Sequence, residues 1–134
     1  MTEEHVRRLR ELLPGAEVVL TGSASVPGLS AVDLDLVVLV DDVAGAAQAL
    51  RAEYPVLYPE AWRRDWAAFR DPGPPQVDVV VTSPGSLGDK HHRLAWRRLA
   101  SDPGLLAEYR ALKATRDDYE RRKREFFERV VDLL

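Results

Sequence analysis

The chain has 134 residues, 46% of them hydrophobic and 31% charged, with a net charge of −3, the proportions of one folded domain rather than of two domains or a disordered polymer. It contains no cysteine, which excludes disulfides, thiolate nucleophiles and Cys-ligated zinc, so any metal must sit on oxygen or imidazole. No run approaches the roughly 18 apolar residues of a membrane helix, and the expectation is a single soluble, cytoplasmic domain over residues 1–134 with no membrane partner.

Val6, Leu9, Leu12 and Leu13 stand at helical spacing and stop at Pro14-Gly15, which predicts a first helix. Glu17 to Thr21 is short, apolar and β-branched and runs into Gly22-Ser23, the pattern of a strand ending in a tight turn. Leu34 to Val40 reads as a second strand, Ala44 to Tyr54 as an alanine-rich helix, and Val56 to Tyr58 as a short strand. Trp62 to Phe69 fits both a helical stripe and an extended segment. Gln76 to Thr82, flanked by Pro-Gly-Pro-Pro and Ser-Pro-Gly, is the clearest remaining strand. Beyond it the chain reads as helix: Leu87 to Ala100, then a helix opened by Asp102 as N-cap with Pro103 behind it, then a last helix after Asp117-Asp118. A small mixed sheet with helices, α+β in class, is the expected architecture. Charge is sorted along it: residues 1–86 hold 7 Lys/Arg against 13 Asp/Glu, whereas 87–134 hold 12 against 9. An acidic sector beside a basic one suits a metal-bound polyphosphate, although Arg-rich helix surfaces produce the same asymmetry.

The chemistry is carried by Gly22-Ser23 at the end of one strand, Asp33-Leu34-Asp35 at the start of the next, and Asp78 within a third. Strand alternation aims Asp33 and Asp35 at one face, and a divalent cation relieves the repulsion between such a pair. Asp78 sits among valines and needs a partner. If its strand lies beside that of Asp35, the three acids can hold two Mg²⁺ or Mn²⁺ ions about 3.5–4 Å apart, as in-line phosphoryl displacement requires. Gly22 and Ser23 offer close backbone approach, an amide and a hydroxyl to phosphate. Tyr109, Lys113 and Arg116 are four and three residues apart, and they line a nucleotide or acceptor cleft if their helix crosses the sheet; Lys113 is the candidate ligand contact. His91 and His92, neighbours on a helix, diverge by about 100° and read as surface residues. Arg121 to Arg124 wraps around its helix and reads as solvated.

Apolar-Gly-Ser followed by Asp-apolar-Asp, with a third acid on a later strand, resembles the polymerase-beta type of nucleotidyltransferase. More narrowly, Gly22-Ser23-Ala24-Ser25-Val26-Pro27-Gly28-Leu29 resembles the signature of GrpB-like proteins. Leu94 to Arg97, Asp102-Pro103, Tyr109 to Lys113 and then Tyr119, Lys123 and Phe126 resemble the helical tail of that family. The resemblance implies a minimal nucleotidyltransferase core with C-terminal helices and an Mg²⁺-dependent enzyme. Such an enzyme transfers a nucleoside monophosphate from a nucleoside triphosphate to a hydroxyl of a small molecule, a protein or an RNA end. It implies phosphate contact at Ser23 and metal ligation by Asp33, Asp35 and Asp78. The rival expectation is a non-catalytic nucleotide-binding or antitoxin-like partner-binding module of the same fold; a homodimer through the helical tail is a further possibility.

Overall fold

Strand register dictates where everything else sits. The computed structural model describes residues 2–134. Its four strands, β1 (Glu17–Thr21), β2 (Leu34–Leu39), β3 (Trp66–Asp71) and β4 (Val77–Thr82), form one sheet in the order β1-β2-β4-β3. β2 and β4 are parallel, and the two outer strands run antiparallel to their neighbours. The helices are α1 (Thr2–Leu12), α2 (Val43–Leu50), α3 (Leu87–Asp89), α4 (Ala95–Ser101), α5 (Pro103–Lys113) and α6 (Tyr119–Asp132), with a π-helical segment, Lys90–Leu94, joining α3 to α4. The class is α+β, as the sequence suggests. No helix among the described residues is long and apolar enough to cross a membrane.

Because side chains alternate along a strand, each face of the sheet has its own cover. Val18, Leu36, Val38, Ala67, Phe69, Val77, Val79 and Val81 pack with Leu9 of α1 and Val43, Ala46, Ala47 and Leu50 of α2 in one apolar core. Val37, Ala68 and Val80 fall on the opposite face and are also buried. The C-terminal helices form a second cluster of Ala95, Leu99, Tyr109, Phe126, Phe127 and Val130. Trp96 joins it, its ring 4.9 Å from that of Phe127 and 5.3 Å from that of Tyr109.

The structure differs from the sequence reading in four places. The ambiguous stretch resolves into β3, which starts at Trp66; a full ladder with β4 and the burial of Ala67 and Phe69 outweigh the helical stripe, and Trp62 packs on Phe69 at 5.2 Å from outside the strand. Between Val56 and Tyr58 only Val56 bridges to Phe69. The helix expected to reach Tyr54 ends at Leu50 and continues as turns, with the Tyr54 amide still donating to the Leu50 carbonyl at 2.9 Å. The helix expected over Leu87 to Ala100 is interrupted by the π segment. Asp102 does cap α5, accepting from the amides of Gly104 and Leu105 at 3.1 and 3.2 Å.

Candidate functional site

One row of residues crosses the whole sheet. Thr21 on β1 pairs with Asp35 on β2, Asp35 with Asp78 on β4, and Asp78 with Arg70 on β3. All four therefore share a face. The Asp35–Asp78 contact is parallel and in register, which places two carboxylates side by side, with Cα atoms about 4.8 Å apart. At the far end Arg70 grips Asp78 with both prongs, Nε to Oδ1 at 2.7 Å and Nη2 to Oδ2 at 2.9 Å. This bidentate pair is the strong form of a carboxylate contact, and it holds the guanidinium further in its charged form.

Asp35 has no such fork. Burial first, and then the charge of Asp78, push its carboxyl up to about 6, against the pull of Lys123; Asp33 adds repulsion and Arg70 attraction. Gly22 follows Thr21 with φ of 70°, in the left-handed region, and a Cβ added to it would collide with the Asp35 carboxylate. The room that glycine leaves at this turn is thus filled by Asp35.

Above the row lies a cleft of about 340 Å³. Its floor is Thr21, Gly22, Asp35, Val37, Asp78 and Val80; its opposite wall is His91, His92, Trp96, Glu120, Lys123, Arg124 and Phe127. Glu120, Lys123, Arg124 and Phe127 are spaced i, i+3, i+4 and i+7, one face of α6. The π segment delivers both histidines: its wider turn brings His91 and His92 to the same cleft, the Thr21 hydroxyl donates to the His92 carbonyl, and the His92 ring lies 5.9 Å from that of Trp66. Burial, reinforced by His91, drives His92 down to about 4, so its imidazole is neutral at pH 7.

The structure thus brings together Asp35, Asp78 and Gly22, and it sets three other expected residues apart. Asp33 precedes β2 in an exposed bend and does not line the cleft. Ser23 Oγ lies 3.5 Å from the Tyr109 hydroxyl, outside the lining. Lys113 donates to the Ser30 carbonyl at 3.4 Å and rests over the Tyr109 ring, bracing the loop before β2 rather than the cleft. Lys123 and Arg124 occupy the place expected for Lys113; the sequence signal for them was the spacing of Glu120 to Phe127.

Two metal ions need more donors than this. Among the described residues no group of three or more His, Asp or Glu could hold a metal. Two carboxylates are adjacent, and both oxygens of one are taken by Arg70. The donor set as placed does not fit a two-ion centre.

The model of the family described as GrpB protein matches residues 1–132. The chain belongs to the GrpB family. Among solved structures it is similar to the conserved protein GrpB from Enterococcus faecalis, at 19% identity and a TM-score of 0.74, over 97% of this chain and 90% of that one. At that identity the likeness speaks for a shared GrpB fold. No curated protein matches significantly.

Proposed function

We propose that the cleft of this GrpB chain binds a nucleoside triphosphate, as a nucleotide-binding module of nucleotidyltransferase type. The observation that carries the reading is the polar row beside the Gly22 turn, faced across the cleft by Lys123 and Arg124. Two cations on one helix face meet phosphate oxygens, while Trp96 and Phe127 give an apolar wall for the base. Asp35 and Glu120 add acceptors for ribose hydroxyls or exocyclic amines.

A second reading, nucleotidyl transfer, is favoured by the in-register Asp35–Asp78 pair. In it an acceptor hydroxyl oxygen attacks the α-phosphorus, the bond from that phosphorus to the bridging oxygen breaks, and pyrophosphate leaves with the electron pair. Asp35, held near 6, is the group on the cleft floor suited to take the hydroxyl proton.

Calorimetric titration of ATP, GTP, CTP and UTP, both in EDTA and in Mg²⁺ buffer, tests the site. The parent is expected to bind at least one of them, and Lys123→Ala/Arg124→Ala to lose about tenfold or more in affinity with unchanged melting temperature. Equal affinity in both proteins, or none in the parent, defeats the reading. Incubation of α-phosphate-labelled nucleotide with cell extract then separates the two versions, because only an enzyme leaves label on an acceptor.

A further inference from the structure

The residues around the acid pair answer a question of charge compensation that the sequence left to a metal. Two in-register carboxylates on adjacent parallel strands repel, and something positive must offset them. Arg70 is the direct cross-strand partner of Asp78, so the β3–β4 ladder itself sets where its guanidinium lies. The fork uses both Asp78 oxygens, at 2.7 and 2.9 Å. On the other side Lys123 of α6 attracts Asp35. A divalent ion entering here must take oxygens already engaged, approach a fixed positive charge and find further oxygen ligands, while Mg²⁺ sheds its water reluctantly. Asp33, the remaining acid of the expected trio, stands outside the cleft lining, and Glu120 on the opposite wall forms no metal-holding group with the pair among the described residues.

We propose that Arg70 is the resident counter-cation of the Asp35–Asp78 pair, closing it to divalent metals, so that the cleft takes its nucleoside triphosphate in the metal-free form. The choice of ligand rests on the nucleotide reading above; the closure rests on the strand register and the Arg70 fork, independent of that reading. Arg70 thus acts as a specificity determinant from the floor of the site, deciding between a bare phosphate chain and its metal complex.

The test has two arms. In the first, Mn²⁺ is titrated alone and the free ion followed by electron paramagnetic resonance. The parent is expected to leave it free, whereas Arg70→Gln gains about tenfold or more in affinity, a gain that Asp35→Asn abolishes in the Arg70→Gln background. Arg70→Lys, which keeps the charge without the fork, should fall between them. Tight binding by the parent that Asp78→Asn removes would overturn the closure. Near-ultraviolet circular dichroism of each variant establishes that it is folded, and the parent's own titration decides the closure should Arg70→Gln unfold.

In the second arm, ATP is titrated calorimetrically in EDTA and in Mg²⁺. The parent is expected to bind ATP about tenfold or more tightly in EDTA than in Mg²⁺. Equal affinity in the two buffers, or a strict Mg²⁺ requirement, would overturn the inference while leaving the nucleotide site intact. No binding in either buffer, with Mn²⁺ still excluded, would sink the nucleotide reading and with it the choice of ligand, and would leave the closure standing.

Discussion

The same four strands present two unlike faces. Beneath α1 and α2, Leu36, Val38, Phe69, Val79 and Val81 make a continuous apolar layer. Beneath the C-terminal helices, buried Val37, Ala68 and Val80 give way after one step along each strand to Asp35, Arg70 and Asp78. The first face is made for burial. The second interrupts its own burial with charges that must be compensated, and it faces a cleft. A sheet accommodates both because successive residues point opposite ways, so the polar row costs the core nothing.

The largest effect expected from this contrast is on the apolar face. Phe69 is fully buried and its ring lies 5.2 Å from that of Trp62. Phe69→Ala should lower stability by about 3–5 kcal/mol through lost burial and the cavity left behind, read as the urea midpoint. Although Phe69 directly precedes Arg70, it points away from the cleft, so nucleotide affinity of the fraction still folded should change little. Lost affinity in fully folded variant would mean that the two faces are not independent.

The polar face should answer with the opposite sign. Asp35 is held near 6 in the fold against an ordinary value near 3.8. A carboxyl raised in this way favours the fold below the ordinary value, and that contribution is lost as pH rises through about 6. Asn imitates the protonated carboxyl. Asp35→Asn should therefore raise stability by about 1–3 kcal/mol at pH 7.5, with the gain shrinking to nothing by about pH 4. Denaturation of both proteins across that range checks it, and a gain independent of pH would show that charge is not the cause.

Much of the first face was legible in the sequence, and little of the second. Glu17 to Thr21 is β1 to the residue, because a β-branched run bounded by Pro-Gly and Gly-Ser leaves the chain no other structure. Asp102 with Pro103 likewise declares a helix start by local chemistry alone. The polar row depends on pairing between distant strands. Asp35 and Asp78 were both recognised as acids in need of a partner, yet Arg70 becomes that partner only once β3 is known to run antiparallel beside β4. Arg70 stands one residue beyond Trp62 to Phe69, the stretch that periodicity leaves undecided. Lys113 and Lys123 differ in the same way: each is a lysine on a C-terminal helix, and only the packing of α6 over the second face selects Lys123 for the cleft. The histidines needed a π segment, and that follows from no side-chain period.

The smallest difference to be resolved is at the seam between turn and row. Gly22 carries φ of 70°, and a Cβ there would press on Asp35. Gly22→Ala should cost about 1–3 kcal/mol from the backbone alone, because φ of 70° with ψ of −165° is a conformation essentially reserved for glycine, plus whatever the displaced carboxylate loses. A double-mutant cycle divides the two. In the Asp35→Ala background the collision with the carboxylate is gone while the backbone conformation stays, so the alanine should cost less there than in the parent. Equal costs in both backgrounds would mean that Gly22 serves the turn only. A reduced cost would tie the glycine of the Gly-Ser pair to seating Asp35 against the row, which makes the turn part of the acid pair's setting as well as a place where a phosphate can approach.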